Sequence, residues 1–176
     1  MPRFVRWQRE LRIGFGLLEG ERVVPVSGWI YDGWQVAGEA VPLEELTLLS
    51  PCTPSKIIGA GLNYRSAAAA KGKAFDGFQP LGSAIVTELD PGCVPLEMWL
   101  NGEQVQRGNT DDLIFSVAEL VSAASQIMTL EPGDVLLSGT PPGSGSLTVG
   151  DQIEACSEPL GRLANIVAAE ADQVGR

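Results

Sequence analysis

The chain contains no histidine. That removes the Ser-His-Asp and Cys-His triads, the H-E-x-x-H zinc motif and the side chain most often used as a general base near neutral pH. No G-x-S-x-G nucleophile elbow is present either. Cysteine is scarce: Cys52, Cys93 and Cys156 are far apart, odd in number and in no C-x-x-C pair. This argues against a disulfide framework or a zinc site and leaves them as small hydrophobes. Cations are few as well, with 12 Lys and Arg against 22 Asp and Glu, a net charge of −10. Nucleic acid and anionic membrane surfaces need clustered cations and are therefore not expected partners. No run of 18 apolar residues offers a membrane-spanning helix. Arg3, Arg6, Arg9 and Arg12 lie near the start with Glu10 and without an apolar stretch, which is not a secretory signal. A reducing cytoplasm is the expected compartment.

What is present reads as an ordinary soluble globular chain. It has 176 residues, 44% hydrophobic and 19% charged. A chain of that length buries about 70% of its unfolded surface, enough for a genuine core. Residues 1–50 read as a small β-rich module. Phe4 to Trp7 and Arg12 to Leu18 are strand-like, and Glu19-Gly20-Glu21 turns the chain into Arg22 to Val26. Pro25, which has no ladder donor, suggests an edge strand. Pro42 to Leu49 reads as a short helix or helical turn, and residues 50–54 as a linker.

Residues 51–176 form the main unit. Lys56 to Gly61 is a strand leading into the Asn63-Tyr64 loop; Ala67 to Ala70 favours helix but meets Gly72. Ser83 to Thr87 is a strand and Asp90-Pro91-Gly92 a turn. Asn101-Gly102 between Leu96–Leu100 and Glu103–Gln106 is a strong hairpin signal. Ser116 and Glu119 form a capping box opening the best helix, with Val117, Leu120, Val121, Ala124 and Met128 on one face. Pro132-Gly133-Asp134 leads into the strand Val135 to Leu137. Beyond the Gly/Ser/Pro loop at 139–146, Gln152–Cys156 and Arg162–Val167 close the chain as antiparallel strands. The order predicts a mainly β (α+β) fold with one solid helix.

Five ordered motifs give a resemblance. Gly61-Leu-Asn-Tyr64-Arg-Ser-Ala67-Ala-Ala-Ala70 is similar to G-L-N-Y-x-x-H-A-x-E, and Gly72-Lys73-Ala-Phe75-Asp76-Gly-Phe78-Gln-Pro80-Leu-Gly82 to G-K-x-F-D-x-F-x-P-L-G. Gly108-Asn109-Thr110 to Leu120 resembles G-N-T-x-D-M-I-F-S-x-x-E-L. Leu130 to Pro141 resembles L-x-P-G-D-x-I-x-T-G-T-P, and the Gly150-Asp151 start of the segment running through Glu154 resembles the opening of G-D-x-V-x-x-E. Together these resemble the fumarylacetoacetate hydrolase family, in its bacterial 2-hydroxyhepta-2,4-diene-1,7-dioate isomerase-like branch. In that family a long segment carrying the metal carboxylates separates the first two motifs; here they are fused. The family's histidine and glutamate positions hold Ala67 and Ala70.

The resemblance implies a rolled, mixed β-sheet core, internally shortened, and a homodimer or association with a full-length relative. It implies metal-dependent hydrolysis, decarboxylation or isomerisation of a small 2-oxo or dicarbonyl acid, with Mg²⁺ or Mn²⁺ stabilising the enolate-like charge. Carried over by position, Lys73 matches the lysine beside the developing oxyanion, with Lys71 as a competitor. Tyr64 and Arg65 match site-lining positions, Asn109 and Thr110 match the loop after the hairpin, and Gly139 with Thr140 matches the loop that orients a substrate carboxylate. No residue inherits the metal carboxylates, and Asp76, Asp111 and Asp112 are the nearest acids. With the proton-moving pair replaced, the expectation is activity that is weak or lost. Lys73 then stands between a site residue and a solvated surface lysine. The Thr140 loop stands between an anion site built from backbone amides and an ordinary connection.

Overall fold

The computed structural model describes residues 1–61, 63–64 and 80–169. The chain opens with an antiparallel meander of β1 (Arg3–Arg9), β2 (Arg12–Glu19), β3 (Arg22–Trp29) and β4 (Asp32–Val36). The turn between β2 and β3 closes on the Glu19↔Arg22 pair, where its sequence places it. The polar residues of β4 conceal it from a pattern search. Its Trp34 is the half-buried residue, meeting Phe4 edge-on at 5.2 Å between ring centroids.

β5 (Val41–Pro42) pairs with β3, and β6 (Thr47–Leu49) with β1. The expected helical segment from Pro42 to Leu49 is therefore mostly extended, with only Leu43–Glu45 forming a 3₁₀ turn. A helix this short does not repay its nucleation, so ladder pairing wins. Pro25 also departs from expectation, because β3 is an interior strand. The Pro25 carbonyl accepts from the Ala37 amide at 2.8 Å. The nitrogen of a strand residue faces the same side as its carbonyl. Here that side is the gap between the end of β4 and the start of β5, where no ladder donor is required.

β7 (Ile57–Gly59) lies parallel to β11 (Val135–Leu137). Asp134, whose side chain is only 7% exposed, ties them together. Its carboxylate accepts from the Ser55 and Lys56 amides, the Ser55 hydroxyl, the Lys56 ammonium at 2.6 Å and the Glu131 amide. β8 (Ala84–Val86) returns to pair with β1 through Arg3↔Val86. β1 is thereby covered on both sides. Phe4 and Val5 point to opposite faces yet both are 0% exposed.

The second large sheet has the order β10-β9-β12-β13, all antiparallel. Its members are β9 (Pro95–Leu100), β10 (Glu103–Asn109), β12 (Gln152–Ser157) and β13 (Gly161–Ile166). Asn101 and Gly102 both have left-handed φ, 51° and 84°, the geometry that an Asn-Gly hairpin selects. The helix α1 (Val117–Ile127) carries the capping box, with the Ser116 amide donating to Glu119 Oε2 at 2.8 Å and the Glu119 amide to Ser116 Oγ at 3.3 Å. Its apolar face is less covered than its spacing suggests. Ala124 is buried and Val117 and Leu120 are half-buried, but Val121 and Met128 are exposed. The architecture is mainly β with curled sheets and, among the described residues, one α-helix.

Candidate functional site

Where the second sheet faces β1 and β8, the chain forms an open cavity of about 500 Å³, in the range of small-molecule sites. Its floor comes from β9 and β12 and from the start of β13. Arg3 and Leu18 reach it from the N-terminal sheet, and Gly139, Thr140 and Pro141 form one wall. Polar groups are few: Ser83, Thr140, Gln106, Ser157, Arg3, Arg162 and the single carboxylate Glu97. Arg162 is paired with Glu154 and is 63% exposed. Glu97 accepts from the Trp99 indole at 3.1 Å.

The Thr140 wall is held from beneath. Gln106, 9% exposed, donates from Nε2 to the Pro141 carbonyl at 2.7 Å, with longer contacts to the Pro142 carbonyl and to Thr140 Oγ1 at 3.5 Å. At the other end of the loop, Asn63 is 2% exposed and bonded at every side-chain face. Its Nδ2 donates to the carbonyls of Phe115 and Ser138, each at 2.9 Å, and its Oδ1 accepts from the Phe115 amide at 2.8 Å. One amide side chain thus fixes the chain before Gly139 against the segment leading into α1.

The remaining sequence-derived candidates divide. Tyr64 is 3% exposed, packs beside Gly139 and bridges to Leu113. Its hydroxyl has no hydrogen-bond partner among the described residues. Burial, and then the carboxylates of Asp112 and Asp111, push its phenol above the ordinary value. It stays protonated at neutral pH and is no base. Asn109 and Thr110 spend their polar atoms locally. Asn109 Oδ1 accepts from the Asp111 amide at 3.2 Å, and Thr110 Oγ1 from the Val94 amide at 2.8 Å. Neither lines the cavity, whereas Gly139 and Thr140 do. Arg65, Lys71, Lys73, Ala67, Ala70 and Asp76 lie outside the described residues.

A divalent cation needs several converging oxygen donors. Among the described residues no group of three or more His, Cys, Asp or Glu side chains converges in this way. Asp111 and Asp112 stand together in a 3₁₀ turn, with no third acid among the described residues grouped with them. These residues do not fit the metal that the motifs imply, and no step can be derived through one.

Arg3 and Gln106 were not visible as site residues in the sequence. Gln106 left a trace, being a polar residue at the one buried position of β10. Arg3 left none, since only the β1–β8 pairing brings it to the cavity.

Comparisons with known proteins agree with this architecture. Residues 56–168 match the family model described as Fumarylacetoacetate (FAA) hydrolase C-terminal, and residues 3–51 match Rv2993c-like, N-terminal. An uncharacterized protein of Methanocaldococcus jannaschii is 46% identical over 100 residues, which cover 57% of this chain and 42% of that protein. The human mitochondrial oxaloacetate tautomerase FAHD2A is 42% identical over 106 residues, 54% of this chain and 34% of that protein. The chain thus covers less than half the length of these relatives. Among solved structures, 2-hydroxyhepta-2,4-diene-1,7-dioate isomerase from Mycobacterium marinum superposes with a TM-score of 0.88 at 22% identity, covering 98% of this chain and 100% of that one. Maleylpyruvate hydrolase from Sphingobium sp. SYK-6, in complex with manganese (II) ion and pyruvate, gives 0.76 at 21% identity, covering 94% and 98%.

Proposed function

The chain belongs to the fumarylacetoacetate hydrolase family, and from that premise we propose that it binds a small 2-oxo or dicarbonyl acid while the family's metal-centred chemistry is weak or lost. The observation that carries this reading is the placement of Gly139 and Thr140. The loop that resembles the family's carboxylate-orienting element lines a ligand-sized cavity together with Arg3 and Arg162. Acid binding needs only such a local positive, hydrogen-bonding pocket, and a net charge of −10 does not oppose it at short range. Turnover needs more. The proton-moving positions hold Ala67 and Ala70, histidine is absent from the whole sequence, and the Tyr64 phenol is held protonated. The names of two relatives support the ligand class, one an oxaloacetate tautomerase and one a hydrolase holding pyruvate.

Thermal melts with and without oxalate, and with and without Mg²⁺ or Mn²⁺, test this reading. Oxalate alone at a hundred times its dissociation constant should stabilise the chain by about 2.7 kcal/mol, a rise of several degrees. Added metal should extend neither that rise nor the interconversion of oxaloacetate tautomers. A melt that rises only with metal and oxalate together, alongside metal-dependent turnover, would restore the enzyme. A melt indifferent to oxalate would remove the binding reading.

One observation favours a second role, in assembly. Val121, Ile127 and Met128 are 43%, 80% and 37% exposed, and Ile114 and Phe115 beside the start of α1 are exposed as well. Within α1 the only charge is Glu119. A second copy of this chain fits such a surface, because pairing there brings few like charges together despite the overall negative charge.

A further inference from the structure

We propose that Arg3 reads a second carboxylate in the cavity, so that the chain selects diacids over monoacids; this rests on the small-acid reading above. Arg3 stands at the start of β1 and reaches a cavity that Gly139 and Thr140, distant in sequence, also line. Its strand position is fixed by the Arg3↔Val86 pair and by the Thr87 amide, which donates to the Pro2 carbonyl at 3.2 Å. The head group is fixed too. Nη2 donates to the Pro159 carbonyl at 3.2 Å. Beneath it lies Gly161, where a Cβ would stand 2.9 Å from Nη2 and 3.6 Å from Cζ. The φ of +96° at that turn also suits glycine. The guanidinium therefore rests on a bare Cα, oriented before any ligand arrives.

Among the described residues, Arg3 has no anionic partner. The ion pairs among the described residues join Arg9 to Glu45, Lys56 to Asp134 and Arg162 to Glu154. The chain holds 22 acids to 12 bases, yet Arg3, half-buried like Arg6, is like it in none of these pairs. Desolvating a cation is costly unless a counter-charge compensates. One of the five guanidinium donors is used on Pro159, and the others remain available for a planar, two-point grip on a carboxylate. Arg162 is a poorer candidate, being more exposed and already paired. Thr140 then serves the 2-oxo acid end of the ligand and Arg3 the distal carboxylate.

Calorimetric titration of the full chain with pyruvate and with freshly dissolved oxaloacetate, both in EDTA, tests the assignment. The wild type should bind oxaloacetate about ten- to a hundredfold more tightly than pyruvate. Arg3→Gln should bring that ratio close to one by weakening oxaloacetate far more than pyruvate, and Arg3→Lys should keep part of it. If both acids bind and Arg3→Gln leaves the ratio intact, the role of Arg3 is overturned and the small-acid reading stands. If neither acid binds the wild type, both fall together. Should Arg3→Gln not melt cooperatively, Gly161→Ala decides. It crowds the guanidinium from below without removing its charge, and an unchanged ratio in that variant overturns the proposal equally.

Discussion

The ring of Tyr64 lies so close to Gly139 that a Cβ at residue 139 would sit 3.0 Å from Tyr64 Cδ2 and 3.3 Å from Cε2. Gly139 also has a φ of +131°, which L side chains rarely adopt. Strain and contact act in the same direction, so Gly139→Ala should destabilise the chain by about 1–3 kcal/mol. For a chain of this length that is a fall in Tm of roughly 2–12 °C. Because the displaced loop carries Thr140, oxalate-induced stabilisation should shrink as well. An alanine variant with unchanged Tm and unchanged oxalate response would show that the contact is not needed.

Asn63 should be the costliest single side chain at the site. Its three hydrogen bonds each contribute about 1 kcal/mol net, and Asn63→Ala leaves buried partners behind, so a loss of about 3 kcal/mol is expected. Urea unfolding measures it as a lower midpoint at unchanged slope.

Gln106→Ala should loosen the Thr140 wall more than it disturbs the sheet. The Pro141 carbonyl loses its 2.7 Å donor, at a cost of about 1–3 kcal/mol. Oxalate affinity, read by titration, should fall together with stability. A variant that loses stability but binds oxalate as the wild type does would show that the clamp serves the fold alone.

Asp134 gives a pH signature. Its carboxyl is held well below the ordinary carboxylate range, first by the Lys56 ammonium, then by the Glu131 amide, with further bonds from Ser55 and the Lys56 amide. A depressed folded-state value contributes stability that is present above the unfolded value, near pH 4, and is lost as pH falls further. Asp134→Asn should therefore lower Tm at pH 7. The difference between wild type and variant should hold down to about pH 4 and narrow below it. A difference constant from pH 7 to pH 2 would count against the ionic latch between β7 and β11.

The exposed face of α1 can be tested through mass. Light scattering after gel filtration should give two chains per particle for the wild type and one for Ile127→Glu, with α1 intact by circular dichroism. A wild type that runs as one chain at tens of micromolar would end the second-copy reading.

Features governed by neighbours in sequence were legible before any fold was known. The Asn101-Gly102 hairpin, the Ser116–Glu119 capping box and the Gly20 turn each depend on backbone preferences within about four residues, and each forms as read. The order of motifs carried the family for the same reason, because Gly139 and Thr140 sit in one short loop whose residues are adjacent in the chain. Segments that pair across the chain read less well. Pro42 to Leu49 has a local leaning towards a turn, but β1 and β3 offer ladder partners that override it. Pro25 sits inside a sheet because the gap between β4 and β5 absorbs its missing donor.

The sequence by itself determined the mainly β class, the hairpins, the single capped helix of the described residues, and the loss of histidine chemistry, since all of these follow from residue identity and short-range geometry. Only the tertiary structure decided which residues share the cavity. Arg3 and Thr140 are separated by most of the chain, and they line one site because β8 pairs with β1 while Gln106 holds the 139–141 loop against β10. Such closures are fixed by which surfaces bury one another and by where long-range hydrogen bonds are satisfied, and no local window contains both partners.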